Sequence, residues 1–228
     1  MRNFYLIKAK ATEALNCPPL SSADAVMSSL LPQRREVGIY PLPNEALRVH
    51  VFGDSYHQLQ MKRNLCQHIN FALADLLMQY PNMLVFGEDV GKKGGVYRVT
   101  ADLQARFGQR RVFNTILDET TILGTAIGMA HNGFLPVPEI QFLAYLHNAE
   151  DQLRGEASTL SFFSNGQYQN PMVLRIAGLA YQKGFGGHFH NDNSIAVLRD
   201  LPGVVVACPS NGPDAAKDRE RNNFLFSE

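Results

Sequence analysis

No run of about 18 uncharged apolar residues, the minimum for a membrane-spanning helix, occurs in the chain. The first segment, MRNFYLIKAKATEALN, follows a short apolar group at once with lysines and a glutamate, so it lacks the continuous apolar core of a secretory signal. An excess of either charge is lacking too, because 21 basic residues balance 21 acidic ones. That balance removes the overall basic footprint of a nucleic-acid binder and gives no reason to invoke an acidic membrane. Cysteine is scarce: Cys17, Cys66 and Cys208 lie far apart and form no C-x-x-C pair. Such spacing argues against a disulfide framework or a structural zinc site and suits a reducing compartment. Together the absences predict a soluble, cytoplasmic protein with no nucleic-acid and no membrane partner, whose chemistry is local.

What is present is ordinary globular material, 228 residues of which 45% are hydrophobic and 18% charged, enough to bury a core. Residues 1–60 mix prolines, serines and short apolar groups without a sustained period, which predicts an irregular leader or linker with no core of its own. From Met61 the pattern is regular. In NLCQHINFALADLLMQYPN, residues Leu65, Ile69, Ala72, Leu73, Leu76 and Leu77 share one helical face, and Pro81 ends the helix. MLVFGEDV is a short apolar run stopped by Gly87, the pattern of a buried strand. The alternation then repeats: helical VTADLQARFG, strand-like RVFNTI, a helix opened by Asp118 and Glu119, strand PVPEIQF, a long helix AYLHNAEDQLRGEASTLSFFS, strand PMVLRIA, a glycine-rich loop and strand GVVVACP. Strands separated by helices predict an α/β fold, a largely parallel sheet with helices on both faces, over residues 61–217. Residues 218–228 then form a short tail outside that pattern. Ligands of such sheets bind at the carboxyl ends of strands, which places the chemistry after FNTI, EIQF and VLRIA.

Three groups of residues stand at those places. Asp118 and Glu119 open an apolar, glycine-bearing helix, and helix-end electrostatics alone favour capping as their role. Asp118 suits the cap, whereas Glu119 is free to face a packed site, with Gly124 and Gly128 one turn apart on a helix that another backbone could approach. In AYQKGFGGHFHNDNS, His188 and His190 share a face if the piece is extended, with Asp192 nearby. A metal site there lacks further ligands, so a solvated loop or an acid–base histidine is favoured and no metal ligand is assigned. Phe142 and Tyr145 follow a strand end, where core packing is commoner than stacking on a planar ligand. KKGGVY and GFGG match neither glycine-rich phosphate-binding pattern.

Taken in order, FGEDVGKKGGVYRVTADLQARFG, RVFNTILDETTILGTAIGMA, PVPEIQFLAYLHNAEDQLRGEA and GLAYQKGFGGHFHNDNSIAVLRDLPGVVVACPS resemble the pyrimidine-binding domain of thiamine-diphosphate-dependent 2-oxo acid dehydrogenases. The similarity is to the beta subunit, or the beta-like half of a fused chain, of the pyruvate and branched-chain enzymes, and it covers about residues 62–217 without large gaps. It implies the thiamine diphosphate-binding fold and an acyl group passed to a lipoyl carrier after decarboxylation. Glu119 then exchanges a proton with the cofactor's pyrimidine ring, Leu117, Gln141 and Tyr145 line the ring's pocket, and His190 handles substrate or acyl group near the reactive carbon. The implied partners are a diphosphate-binding alpha subunit or alpha-like half, which holds Mg2+, and a lipoyl acyltransferase component, within a homo- or hetero-oligomer. Some relatives also hold a monovalent cation. The G-D-G…Asn motif for magnesium and diphosphate is absent, so this chain supplies half a site and is expected to be inactive alone. Residues 1–60 then read as the tail of an alpha-like half or a native leader, and both ends would follow from truncation. The rival readings are a transketolase-like enzyme domain and a non-catalytic remnant that binds a partner subunit.

Overall fold

The computed structural model describes residues 2–28, 42–179, 186–217 and 224–227. Ahead of the periodic sequence lie helices α1 (Arg2–Leu15), α2 (Ala23–Met27) and α3 (Glu45–Phe52), the last continuing into a 3₁₀ turn, Gly53–Gln60. Asn44 starts α3 by accepting from the Ala46 amide at 2.8 Å. The sequence leads one to expect no core contribution from residues 1–60, and Phe52 departs from that. Only 3% exposed, its ring meets Phe71 edge-on at 5.7 Å and carries the Arg106 guanidinium at 5.2 Å. Arg48 adds an ion pair to Asp75 at 2.9 Å. Single apolar residues without a period leave no signature in sequence, which is why this attachment was hidden.

The regular part begins with α4 (Leu65–Gln79), whose Asn64 and Gln67 exchange hydrogen bonds in a capping box. Tyr80, held extended before Pro81, ends it. The Arg111 side chain donates to the carbonyls of Leu77, Tyr80 and Met83 at 3.1, 2.7 and 2.7 Å, satisfying helix-end acceptors and fastening α4 to the next strand. That strand is β1 (Met83–Gly87), followed by α5 (Leu103–Phe107), β2 (Val112–Asn114), α6 (Glu119–His131), β3 (Leu135–Ile140), α7 (Leu143–Leu146) and α8 (Leu160–Phe163). Then come β4 (Val173–Ile176), α9 (Ala196–Arg199), β5 (Val205–Ala207), α10 (Gly212–Lys217) and β6 (Phe224–Ser227).

The strands pair in the order β2-β1-β3-β4-β6-β5, all parallel. Along β1, Met83 and Val85 enter one core with Leu73, Leu77 and Phe52, while Leu84 and Phe86 enter another with Leu123, Ala126 and Leu146. Helices cover both faces, as an all-parallel sheet requires, so the α/β expectation holds.

Three elements differ from expectation. The segment predicted as one long helix is broken: α7 gives way to a 3₁₀ turn, His147–Ala149, and to a widened π-type turn over Gln152–Ala157. There the Ser158 amide reaches back five residues to Leu153 at 3.0 Å, while the Ser158 and Thr159 hydroxyls donate to the carbonyls of Arg154 and Gly155. In VTADLQARFG only α5 is regular, because Asp102 adopts positive φ immediately ahead of it. Finally, β6 arises from the tail beyond residue 217 and lies between β4 and β5.

Candidate functional site

The carboxyl ends of β1 and β3 converge with the N-terminus of α6. Asp118 is its N-cap, accepting from the Thr121 amide at 3.0 Å and also from the Thr121 hydroxyl. With the cap filled, the half-buried Glu119 is spared that duty. The Asn148 side-chain Nδ2 donates to Glu119 Oε2 at 3.4 Å, and the Thr120 hydroxyl donates to the Asn148 main-chain carbonyl at 2.7 Å. Two contacts thus tie the first turn of α6 to the 3₁₀ turn after α7. Leu117, just before the cap, is 70% exposed. Gly124 and Gly128 meet no neighbouring backbone: a Cβ on Gly124 would come no closer than 3.5 Å to the Gln152 side chain, and one on Gly128 would meet nothing within 4 Å.

On the other side of the strand ends, Gln141 and Phe142 continue β3 and are half-buried. Phe142 packs edge-on against Tyr145 at 5.8 Å, His190 at 4.4 Å and Tyr97 at 6.2 Å. His190 ends a 3₁₀ turn, Gly187–His190. Its Nδ1 donates to the Gly186 carbonyl at 2.9 Å, which leaves Nε2 as the acceptor for the Tyr145 hydroxyl at 3.4 Å. His188 does not share this pocket: its ring is exposed and lies against Phe189 at 3.9 Å. Asp192 turns instead to His147, 3.0 Å from Nε2, and accepts from the Ser194 amide and hydroxyl at 2.9 and 2.5 Å. Burial pushes the Asp192 carboxyl up, but the Ser194 and His147 hydrogen bonds outweigh it and hold the group below the usual carboxylate range. Among the described residues no three His, Cys, Asp or Glu side chains converge as a metal site would need, and no helix is long and apolar enough to cross a membrane.

Of the residues singled out from sequence, the structure therefore brings Tyr145 and His190 into contact and ties Glu119 to the same α7 segment. Leu117 stands on the open rim, and Gln141 follows β3. Other polar residues here gave no sequence signal beyond standing at a strand end. Glu88 follows β1, and its carboxyl is pushed up by burial, then by the charges of Asp89 and Glu119. Glu139, 2% exposed at the end of β3, pairs with Arg175 of β4 at 2.9 Å and accepts from the Val96 amide at 3.1 Å. Gly95 makes that approach possible: at φ 68°, a Cβ there would sit 2.8 Å from both the Glu139 carboxylate and the Thr100 hydroxyl. The buried pair so fixes the loop that carries Tyr97 to Phe142.

A carboxylate at a helix mouth, an aromatic wall and an imidazole are groups suited to a planar, nitrogen-bearing ring. Residues 62–219 match the family described as transketolase, pyrimidine binding domain. The pyruvate dehydrogenase E1 component subunit beta of Staphylococcus epidermidis is 42% identical over 156 residues, which are 66% of this chain and 46% of the relative. The protein of the same description from Bacillus subtilis is 38% identical over the same coverage. The chain thus spans just under half the length of the curated relatives it matches. A solved structure described as split gene transketolase, inactive beta4 tetramer, has a TM-score of 0.52 over 70% of this chain and 50% of its own. At 20% identity the likeness speaks for the fold alone.

Proposed function

Because this chain belongs to the transketolase-type pyrimidine-binding family, alongside pyruvate dehydrogenase E1 beta subunits, we propose that it is the pyrimidine-binding half of a thiamine-diphosphate-dependent 2-oxo acid dehydrogenase. The observation that carries this reading is the division of labour at α6: Asp118 caps the helix, and Glu119 is left at its mouth. The bound cofactor would supply an electron sink for decarboxylation of a 2-oxo acid. Glu119 would hold and move a proton at a ring nitrogen. Leu117, Gln141 and Tyr145 would orient the ring and exclude water, and His190, its Nε2 on the Tyr145 hydroxyl, would stand beside the substrate or the acyl group bound for a lipoyl carrier. Diphosphate and Mg2+ belong to a partner, the alpha subunit or alpha-like half, which the exposed Ile116 and Leu117 beside Glu119 leave room to dock. A lipoyl acyltransferase would take the product, and a monovalent cation would be a further companion of the assembled enzyme.

Mixing this chain with a diphosphate-binding alpha subunit should give cofactor-dependent decarboxylation of pyruvate or of branched 2-oxo acids. Glu119→Gln should lower that rate by about 10²–10⁴, the usual contribution of a positioned acid–base group. No turnover with any alpha subunit, or turnover indifferent to Glu119→Gln, would sink the reading.

A further inference from the structure

His147 and Asp192 lie outside every role assigned so far, yet they make the second of two contacts that run in step. Tyr145 reaches His190 and His147 reaches Asp192, each pair 45 residues apart in the chain. Between Tyr145 and His147, Leu146 is fully buried and pins that segment to the core. In the facing segment, residues 186–194, Gly187, His188 and Phe189 are exposed, as are Asn193 and Ser194, while His190 itself packs on Phe142. On the far side of His190, Asp192 joins the segment to His147 and is locked in turn by both Ser194 donors. Gly186 also favours the arrangement from the near side. A Cβ there would lie 2.3 Å from the His190 ring, and its carbonyl fixes the tautomer.

We propose that His147 and Asp192 are positioning residues: their hydrogen bond seats the 186–194 segment so that His190 keeps its Nε2 against the Tyr145 hydroxyl. The inference rests on the role given to His190 above. His147 offers its Nε2–H to Asp192 and keeps Nδ1 3.5 Å from Glu150, so Asp192 and Glu150 are the charged groups around it that set its orientation. The His147 side chain is 41% exposed and that of Asp192 18%, so the bond belongs with partly solvated pairs and its loss should loosen the segment about fivefold rather than unfold the domain.

The test reads His190 directly in the full chain, without cofactor. Diethylpyrocarbonate modifies accessible neutral imidazoles, and mass spectrometry of peptides separates His190 from the exposed His188, which serves as internal reference. His147→Ala and Asp192→Ala should each raise the His190 rate about fivefold with the His188 rate unchanged, and the double variant should add little to either single one. His147→Gln, which keeps a donor for Asp192, should restore the slow rate. With the alpha subunit present, His147→Ala should lower kcat and leave KM in place, again with rescue by Gln. An unchanged His190 rate, equal acceleration at His188, or faster His190 modification with kcat unaltered would overturn the proposal. The modification arm needs no turnover, so it can fail while Glu119→Gln still abolishes activity, and the reverse.

Discussion

Glu88 shows how one side chain can work against the fold that contains it. Burial and the neighbouring Asp89 and Glu119 charges raise its proton affinity above that of a free carboxyl, whose ordinary value is 4.5. The native state therefore binds more protons than the unfolded one between the ordinary and the raised value, and stability falls as pH rises through that window. Removing the charge should reverse this. Glu88→Gln is expected to raise the thermal midpoint at pH 7 relative to the parent and to lose that advantage below about pH 4; a variant less stable at pH 7 would contradict the assignment. Nothing in the sequence flags Glu88 among 21 acidic residues, since its character comes first from burial at the end of β1 and then, beyond the adjacent Asp89, from Glu119, 31 positions away across the crossover. Glu119 was more legible, because its neighbour Asp118 so plainly suits a cap.

Elements were legible where a single period governs them. The complete burial of β1 follows from its unbroken apolar run, and α4 from its face of leucines between Asn64 and Pro81. The composition of the segment after β3 is helical throughout and predicts a continuous helix. What redirects it is the local competition of Ser158 and Thr159 for main-chain carbonyls, and the 3₁₀ turn in which Asn148 meets both Thr120 and Glu119. The loop from Asp89 to Thr100 is another element set by contacts, not by pattern. Its Gly95 amide donates to the Asp89 carbonyl and its Thr100 hydroxyl to the Val90 carbonyl. Gly95→Ala should cost roughly 1–3 kcal/mol through its left-handed backbone alone, and more through the close approach to Glu139. Urea unfolding measures this, and an unchanged midpoint would mean that the loop does not need that approach.

At the scale of the molecule, a parallel sheet buried on both faces fixes where its strand ends open, and this was readable from the order of runs and helices. The attachment of Phe52, the placing of β6 between β4 and β5 and the meeting of Tyr145 with His190 are long-range facts that no local period encodes. In the proposed function this site would grip a ring from one side, and the sequence carries no phosphate-binding glycine motif. Titration of the isolated chain with thiamine diphosphate should accordingly give no calorimetric binding in the range of about 1 μM, where −8 kcal/mol would be needed. Micromolar affinity would reveal a phosphate site in this half.

The trio of Gly95, Glu139 and Arg175 has an evolutionary consequence. A side chain at 95 strikes the carboxylate, loss of Arg175 removes that carboxylate's buried ion-pair partner, and loss of Glu139 removes the guanidinium's. The steps at 139 and 175 are easiest taken together, and 95 carries its own left-handed backbone besides, so single steps are penalised at all three positions. Among descendants of this chain, 139 and 175 should stay fixed or change as a pair, with glycine kept at 95.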